Sequence, residues 1–199
     1  MAAAYPDAAW ERLFAPYDPA TYQTALAHIL PGDAVLDIGA GDLRFARQAA
    51  CIARRVIAIE IAPDLLSRAS SDSPLPANLH LVRANALTWP FPPGIGVGVL
   101  LMRHCTHFER YAQKLKQSGA RRLITNARWR LGVEAIDLTA LPVAYEQLDM
   151  GAYACACGSV GFKPGPVQLL TPDMFETAAE VTGCPNCQPG PCSETRGPG

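Results

Sequence analysis

Apolar residues along the chain follow two alternating patterns, short continuous runs and repeats spaced three or four residues apart. The runs predict five strands, at 35–38, 56–61, 80–87, 97–102 and 121–127. The repeats predict helices that begin near residues 18, 43, 63 and 107. The run at 56–61 is almost continuously β-branched, which is typical of a parallel strand buried on both faces. This alternation predicts an α/β fold, a doubly wound and mostly parallel sheet with helices on both faces.

Two of the predicted helices carry start signals. Asp18 is an N-cap residue and is followed by a proline at the first helical position. Thr106 and Glu109 match a T-x-x-E capping box, which reciprocally satisfies two backbone N–H groups. This box makes His107 a first-turn residue rather than a catalyst.

The composition is that of an ordinary globular protein. The chain has 199 residues, of which 49% are hydrophobic, a net charge of −1 and a mean hydropathy of +0.07. It suits one domain with a full core and a small appendage. No apolar run approaches the roughly 20 residues of a membrane span, and the first residues show no signal peptide. We therefore expect no membrane contact and a cytoplasmic location, where the seven cysteines are thiols or metal ligands.

Residues 35–46 form the most informative stretch, because a strand ends there in Gly-Ala-Gly at 39–41 and a helix follows. This order lets backbone N–H groups approach a ligand closely. Asp37 and Asp42 flank the turn, and their carboxylates repel phosphate and suit an amine or a hydroxyl. Arg44 replaces the third glycine of a dinucleotide fingerprint, and no Gly-Lys-Ser/Thr follows. A dinucleotide loop and a Walker loop are therefore not predicted.

The second strand ends in an acid that suits a nucleoside. Glu60 lies nineteen residues after Gly41, where an acid grips a ribose through its hydroxyls. An acid in such an apolar run is costly to bury without a partner. Both observations indicate a ligand that contains a nucleoside.

This stretch resembles motif I of class I S-adenosylmethionine-dependent methyltransferases, an acid followed by G-x-G-x-G at the end of the first strand. Asp37, Gly39 and Gly41 match the motif, while Leu43 stands where the third glycine often lies. The resemblance covers residues 18–140 and implies the Rossmann-like methyltransferase fold with S-adenosylmethionine as cofactor. It implies cofactor contacts from Asp37, Gly39, Ala40, Gly41, Asp42, Glu60, Ile61, Asn85, Ala86 and Arg103.

Within the resemblance, an acid after the third strand meets the adenine amino group and the next backbone unit meets the ring. Asn85 and Ala86 take these places, and the asparagine can still accept a hydrogen bond through its carbonyl oxygen. The helix that begins near residue 18 packs beside the pocket in this fold, with Tyr17 just before it and Tyr22 within it. They can line it, although ordinary core contact is the favoured interpretation.

The fourth strand is followed by Arg103, His104 and Cys105, at the sheet edge where ligands bind. His104 is the candidate catalytic residue, a general base, and the alternative is that it and Arg103 only shape the pocket floor. The N/D-P-P-Y/F motif of amino-methylating enzymes is absent. Cys105 lacks the neighbouring proline of cytosine carbon methyltransferases, so that chemistry is not favoured.

Basic residues are concentrated after the fourth strand. Residues 103–130 contain eight Lys and Arg against one acid, Glu109. Such a face can follow a phosphate backbone. A solvated helix with flanking turns is the alternative, and the chain's pI of about 6.4 favours it.

Two pairs of cysteines near the end of the chain predict a zinc site. Cys155 and Cys157 form the first pair, Cys184 and Cys187 the second, and 26 residues separate the pairs. Four thiolates on glycine or proline turns suit a structural zinc ion and resemble a zinc ribbon. The alternatives are a thioredoxin-type C-x-x-C motif and unrelated free thiols. A helix over 171–182 is predicted between the pairs.

The sequence therefore predicts three parts: a methyltransferase domain at 1–141, a zinc-ribbon-like element at 142–188 and a disordered tail at 189–199. The predicted function is methyl transfer from S-adenosylmethionine to an unidentified acceptor, with RNA or protein favoured over a small molecule. The alternative is a non-catalytic scaffold that binds a nucleoside or carries the zinc ribbon.

Overall fold

The computed structural model describes residues 17–72, 74–103, 105–128 and 131–187. The chain divides into two compact units at Leu141 and Pro142. The candidate base His104 and the predicted tail at 189–199 lie outside the described residues. In the part of the chain that is described, no helix has the length and apolarity needed to cross a membrane.

The first unit alternates strands and helices. In chain order the elements are α1 (Pro19–Leu26), β1 (Ala34–Ile38), α2 (Arg44–Ala50), β2 (Arg55–Glu60), α3 (Pro63–Asp72), β3 (Leu79–Arg83), β4 (Val97–Leu100), α4 (Phe108–Gln117), β5 (Arg122–Thr125) and β6 (Glu134–Asp137). The five predicted strands and four predicted helices are all present, with ends that shift by a few residues. β6 was not predicted.

The strands of the first unit form one sheet in the order β3-β2-β1-β4-β5-β6. Strands β1 to β5 pair in parallel, and β6 runs antiparallel to β5. This confirms the predicted doubly wound, mostly parallel sheet. The strand order reverses between β1 and β4, and ligands of such sheets bind there at the carboxyl ends of the strands.

Two apolar clusters cover the sheet. β1 is buried along its whole length and contributes Val35 to one cluster and Leu36 to the other. The first cluster contains residues of α1 and α2, and the second contains residues of α4. Gly98 on β4 lies directly against Leu115 of α4, where a Cβ atom would overlap the leucine side chain. The absence of a side chain at Gly98 therefore lets α4 pack closely on the sheet.

One predicted cap is confirmed and the other is wrong. The Asp18 carboxylate accepts hydrogen bonds from the Thr21 backbone N–H at 3.0 Å and from its hydroxyl at 2.8 Å. At α4 the N-cap residue is His107, and its side chain makes no capping hydrogen bond. The helix begins one residue later than the capping box requires, so Thr106 lies outside the position from which it could cap.

The second unit is a small sheet with three short 3-10 turns. Its strands are β7 (Val143–Ala144), β8 (Gly151–Cys155), β9 (Val160–Lys163) and β10 (Ala179–Thr182), in the order β7-β10-β8-β9. β10 is parallel to both β7 and β8, and β8 forms an antiparallel pair with β9. Among its described residues, the buried members of its apolar cluster are Tyr153, Cys155, Val181 and Cys184.

The helix predicted over 171–182 is wrong. A single 3-10 turn occupies Pro172–Phe175, and Ala179–Thr182 form strand β10. This strand has hydrogen-bonded neighbours on both sides, and Val181 is fully buried. Sheet pairing thus overrides the local helix propensity of its alanine and glutamate, as tertiary contacts often do.

Candidate functional site

The glycine turn lies at the carboxyl end of β1, as the sequence predicts. Gly39 and Gly41 adopt positive φ angles of 71° and 57°, which glycine reaches at no steric cost. The N–H groups of Gly39 and Ala40 both donate to the Ile59 carbonyl at 2.9 Å. A Cβ atom on Gly39 would lie 2.8 Å from the terminal methyl group of Met102. The turn is therefore fixed to β2 and contacts the segment after β4.

Leu43 adopts the backbone conformation that a glycine would normally take at the third position of the motif. It is the N-cap residue of α2 and has left-handed backbone angles, φ 62° and ψ 10°. A left-handed conformation costs a non-glycine residue about 1–2 kcal/mol. The Leu43 side chain is fully buried in the cluster that contains Tyr22 and Phe45. Burial of a leucine offsets this strain, since it contributes about 1.5–3 kcal/mol.

Glu60 joins the end of β2 to the glycine turn. Its Oε2 accepts a hydrogen bond from the Gly41 N–H at 2.7 Å, and its Oε1 accepts from Ile61 and Ala62 at 2.8 and 2.9 Å. The residue is only 7% exposed. A carboxylate oxygen can accept two hydrogen bonds, so Oε2 has a further lone pair for a ligand hydroxyl. This geometry fits a ribose.

Asp37 is a buried carboxyl group close to Glu60. It is 3% exposed, and its Oδ2 atom has no hydrogen-bond partner among the described residues. Burial, and secondarily the negative charge of Glu60, raise the pKa of Asp37 to about 7. A buried polar atom without a partner calls for an explanation, and a bound ligand that completes its hydrogen bonding is one.

The other predicted cofactor contacts lie nearer the surface. Asp42 is half-buried, and its carboxylate accepts from the Arg44 N–H at 3.1 Å and lies 2.9 Å from the Arg44 guanidinium. Asn85 is exposed, and its Oδ1 accepts from the Leu87 N–H at 2.9 Å. Ala86 is buried, whereas Ile61 is exposed after Glu60. These groups all follow the carboxyl ends of β1, β2 and β3.

Arg103 contacts a tyrosine that sequence reasoning assigned mainly to the core. The Arg103 N–H donates to the Tyr17 hydroxyl at 2.9 Å, and its guanidinium lies 5.0 Å from the Tyr17 ring centroid. The Tyr17 N–H in turn donates to the Tyr22 hydroxyl at 3.1 Å. The segment before α1 is therefore joined to the segment after β4. Nothing in the sequence separates this tyrosine from a core residue.

The carboxyl end of β5 carries polar groups that the sequence did not single out. Asn126 is 7% exposed, and neither polar atom of its amide has a hydrogen-bond partner within the part of the chain that the structure describes. Arg128 is almost fully buried, pairs with Glu134 and lies 5.7 Å from the Phe108 ring centroid. The only sequence signal was the position of these residues after a predicted strand.

The basic stretch at 103–130 exposes fewer cations than its count of charges indicates. Three of its cations have partners within the unit. Lys114 donates to backbone carbonyls, Arg122 donates to the His28 carbonyl and pairs with Asp33, and Arg128 pairs with Glu134. The basic residues of this stretch that remain exposed, among those described, are Arg103, Arg110, Lys116 and Arg121.

The structure brings the four predicted cysteines together in the second unit. Their Sγ atoms all lie within 4.8 Å of one another. Cys155 and Cys187 are 3.6 Å apart, Cys157 and Cys184 3.7 Å, and Cys184 and Cys187 3.8 Å. These separations are too long for disulfides, whose S–S bond is about 2.05 Å. A tetrahedral zinc ion with Zn–S bonds of about 2.3 Å would place sulfur atoms about 3.8 Å apart.

Strand pairing explains why the cysteines meet. Cys155 is the last residue of β8 and Cys157 follows it, whereas the second pair follows β10. The two strands are parallel neighbours, with Cys155 opposite Val181. Parallel strands bring their carboxyl ends to the same sheet edge. Gly158 and Gly183, with φ of 98° and 69°, allow the turns at the two cysteine pairs.

Neighbouring thiols alter one another's proton affinity. Burial raises the pKa of Cys155, and burial together with the adjacent thiols raises the pKa of Cys187 to about 12. Burial also acts on Cys157, but hydrogen bonding with Ser159 and with the adjacent thiols outweighs it and lowers the pKa of Cys157 to about 7. The four cysteines are therefore a coupled group rather than independent thiols.

Comparison with known proteins identifies the family. A family model described as ribosomal RNA adenine dimethylase matches residues 17–122. No curated protein matches the chain.

Similar solved structures include methyltransferases. The 23S rRNA methyltransferase ErmE is 22% identical, with a TM-score of 0.48 over 57% of this chain and 47% of that chain. A dimethyladenosine transferase from Plasmodium falciparum is 20% identical, with a TM-score of 0.47 over 54% and 41%. Precorrin 8w decarboxylase from Methanobacterium thermoautotrophicum is 21% identical, with a TM-score of 0.49 over 57% and 65%. This chain spans less than two thirds of the length of each.

On the family match, which covers more than half of its residues, the chain belongs to the ribosomal RNA adenine dimethylase family of class I S-adenosylmethionine-dependent methyltransferases.

Proposed function

We propose that the chain binds S-adenosylmethionine at the carboxyl edge of the first sheet and transfers its methyl group to RNA. The observation that carries the proposal is the contact between Glu60 and Gly41. It fixes an acid at the end of β2 against a glycine turn at the end of β1, which is the arrangement that a nucleoside requires. Family membership supports the choice of cofactor.

Each group at this edge has a proposed role toward the cofactor. Asp37 and Asp42, with the turn of Gly39, Ala40 and Gly41, receive the amino acid half. Glu60 binds the ribose hydroxyls, and Ile61 covers the base. Asn85 and Ala86 meet the adenine, and Arg103 closes the site on the side of β4.

The chain's contribution to methyl transfer is orientation. When bound, S-adenosylmethionine supplies a methyl group on a positively charged sulfur. An acceptor lone pair held in line would bond to that methyl carbon, and the electron pair of the broken carbon–sulfur bond would remain on sulfur. Holding acceptor and methyl group in line, with water excluded, supplies most of the rate. His104 is the proposed base where the acceptor must lose a proton.

RNA is the favoured acceptor class because of the family and the surface charge of the first unit. Four exposed cations follow β4, namely Arg103, Arg110, Lys116 and Arg121, and cations of this kind contact phosphates. The second unit is acidic, with five Asp and Glu and one Lys over residues 142–187, so it is a poor partner for a phosphate backbone. The segment Leu101-Met102-Arg103 lacks the N/D-P-P-Y/F motif, so the methylated atom requires direct identification.

Calorimetric titration with S-adenosylhomocysteine tests the cofactor assignment. We expect a dissociation constant in the micromolar range, about −8 kcal/mol. Glu60→Gln removes a charged acceptor and should raise this constant by about 10- to 100-fold, the effect of a charge-assisted hydrogen bond. Glu109→Gln, on the exposed face of α4, is the matched control and should bind normally. No binding by folded, unaltered protein would favour the non-catalytic scaffold.

Methyl transfer is tested with radiolabelled S-adenosylmethionine and three acceptors: total ribosomal RNA, a protein extract and a metabolite extract. We expect label in the RNA, and mass spectrometry of its nucleosides identifies the methylated atom. Label in protein alone would contradict the RNA proposal while leaving the methyltransferase proposal intact.

We also propose that Cys155, Cys157, Cys184 and Cys187 hold a structural zinc ion. The sulfur separations of 3.6, 3.7 and 3.8 Å support it. A closed four-cysteine site leaves no open position for catalysis. Elemental analysis should find one zinc ion per chain, lost in Cys184→Ser and retained in the control Cys51→Ser, which alters a cysteine of the first unit. Full zinc content in Cys184→Ser would contradict this assignment.

A further inference from the structure

Lys114 on α4 holds the turn that follows β3. Its ammonium group donates hydrogen bonds to the carbonyl oxygens of Ala86, Leu87 and Trp89, the last two at 3.1 and 2.7 Å. It also lies 4.2 Å from the centroid of the Phe91 ring. A lysine ammonium has three N–H donors, so three carbonyl groups use its full hydrogen-bonding capacity.

This contact differs from those of an ordinary surface lysine. Lys114 is half-buried, and burial is the main cause that lowers its pKa. Its partners are backbone groups separated from it by 25 to 28 residues of sequence. A cation that faces several carbonyl dipoles and an aromatic ring, partly shielded from water, interacts more strongly than an exposed one. The lysine therefore ties the turn to α4.

The same turn is held from within by Asn85. The side-chain oxygen of Asn85 accepts a hydrogen bond from the Leu87 N–H. The backbone carbonyl of Asn85 accepts from the Thr88 and Trp89 N–H groups at 3.1 and 2.8 Å. Asn85 thus fixes the N–H groups of the turn, and Lys114 fixes its carbonyl groups. The backbone of this turn has little freedom while both sets of contacts persist.

We infer that Lys114 is a positioning residue for recognition of the cofactor's adenine ring. This inference rests on the proposed function, in which Asn85 and Ala86 meet the adenine. Lys114 binds this peptide segment through the Ala86 carbonyl oxygen, and the role inferred for it is on the backbone of the turn rather than on the ligand. By fixing the turn, it sets where the Asn85 amide and the Ala86 backbone stand relative to the ring.

The inference is tested by base discrimination rather than by affinity alone. The ligands are S-adenosylhomocysteine and its analogue with hypoxanthine in place of adenine, in which a carbonyl oxygen replaces the amino group. A site built to hydrogen-bond the amino group rejects the analogue. A loss of overall stability would weaken both ligands together and leave their ratio unchanged. A displaced turn changes the ratio.

The variants are Lys114→Met and, as control, Lys116→Met, which alters an exposed lysine of the same helix. The titrations contain no RNA, so the phosphate contact proposed for Lys116 does not enter them. Methionine and lysine have similar helix propensities, so the two substitutions are matched. We expect Lys114→Met to reduce the preference for adenine over hypoxanthine by at least about fivefold, while Lys116→Met keeps it. Melting curves establish that each variant is folded. Lys114→Gln and Lys116→Gln provide the same comparison if the methionine variant does not fold.

Each outcome separates the inference from the proposal beneath it. An unchanged ratio in folded Lys114 variants would overturn the positioning role while S-adenosylhomocysteine binding upholds the cofactor assignment. Equal affinity of the unaltered chain for both ligands would also overturn it, because the turn would then not read the base. Absence of binding to the unaltered chain would overturn the proposed function together with this inference.

Discussion

At the scale of the residue, Asp37 makes folding depend on pH. Its pKa rises from 3.8 to about 7 in the folded chain, through burial and then the charge of Glu60. Between these values the folded state holds a proton that the unfolded state has released. The contribution of Asp37 to the free energy of unfolding is therefore complete below pH 3.8 and is lost as the pH rises from there to about 7.

We predict that Asp37→Asn reduces the loss of stability between pH values of about 4 and 8. The difference from the unaltered chain should reach at most on the order of 4 kcal/mol, since a tenfold change in proton affinity corresponds to about 1.4 kcal/mol. Urea unfolding at a series of pH values measures it. Asp64→Asn, at an exposed position on α3, controls for the chemistry of the substitution. Parallel pH profiles of Asp37→Asn and the unaltered chain would contradict the prediction.

Some site residues are readable from the sequence and others are not. The position of Glu60 follows from its distance along the chain from Gly41 and from its place at the end of an apolar run. Lys114 could not be found in this way, because backbone carbonyls leave no pattern in a sequence. The sequence also does not predict the positions of Tyr17 and Asn126 near the site, since these depend on how distant segments of the chain pack together.

At the scale of the element, long apolar runs were the most reliable signal. Strands β1, β2 and β4 are buried almost throughout, and such runs have few alternative structures. Short or half-exposed elements were less readable. β6 has four residues of intermediate or exposed character, and β10 is set by its two sheet neighbours rather than by its own residues. Helix starts depend on a shift of one residue, as the incorrect cap at Thr106 shows.

At Leu43, where α2 starts, we predict that the usual order of stability of alanine and glycine variants is reversed. Leu43→Ala and Leu43→Gly both remove a buried side chain, which costs about 2–5 kcal/mol. Only glycine relieves the left-handed strain, worth about 1–2 kcal/mol. We therefore expect Leu43→Gly to be at least as stable as Leu43→Ala in chemical unfolding.

Leu66 on α3 provides the control for this comparison, since it is buried within a helix. There, glycine should be less stable than alanine by about 0.5–1 kcal/mol, the usual order. The same order at Leu43 would show that its backbone angle is not a source of strain.

At the scale of the whole molecule, the two units differ in what stabilises them. The first has two extensive apolar clusters, whereas the second has only four buried residues in its cluster, two of them cysteines. A unit of this size rarely folds on apolar burial alone and usually requires metals or disulfides. A zinc ion at the four cysteines, as proposed above, would supply the stabilisation that so small a cluster lacks.

We predict that metal removal unfolds the second unit selectively. Under reducing conditions, a strong chelator should accelerate hydrogen exchange of amides in β8 and β10 by at least about tenfold, because metal binding and folding are coupled. Amides of β1 and β2, which are buried in the first unit, should keep their protection. Exchange that is unchanged in β8 and β10 would show that the cysteines do not depend on a metal ion.

The pairing of β8 with β10 also determines where the chain tolerates change in length. It brings together two cysteine turns that are 26 residues apart in sequence. The entropy of closing such a loop grows slowly, by about 0.6 kcal/mol for each doubling of its length. Insertions around Val167, which is 79% exposed, should therefore cost far less than any insertion within the cysteine turns. This segment is where a peptide tag or a new recognition loop can be grafted.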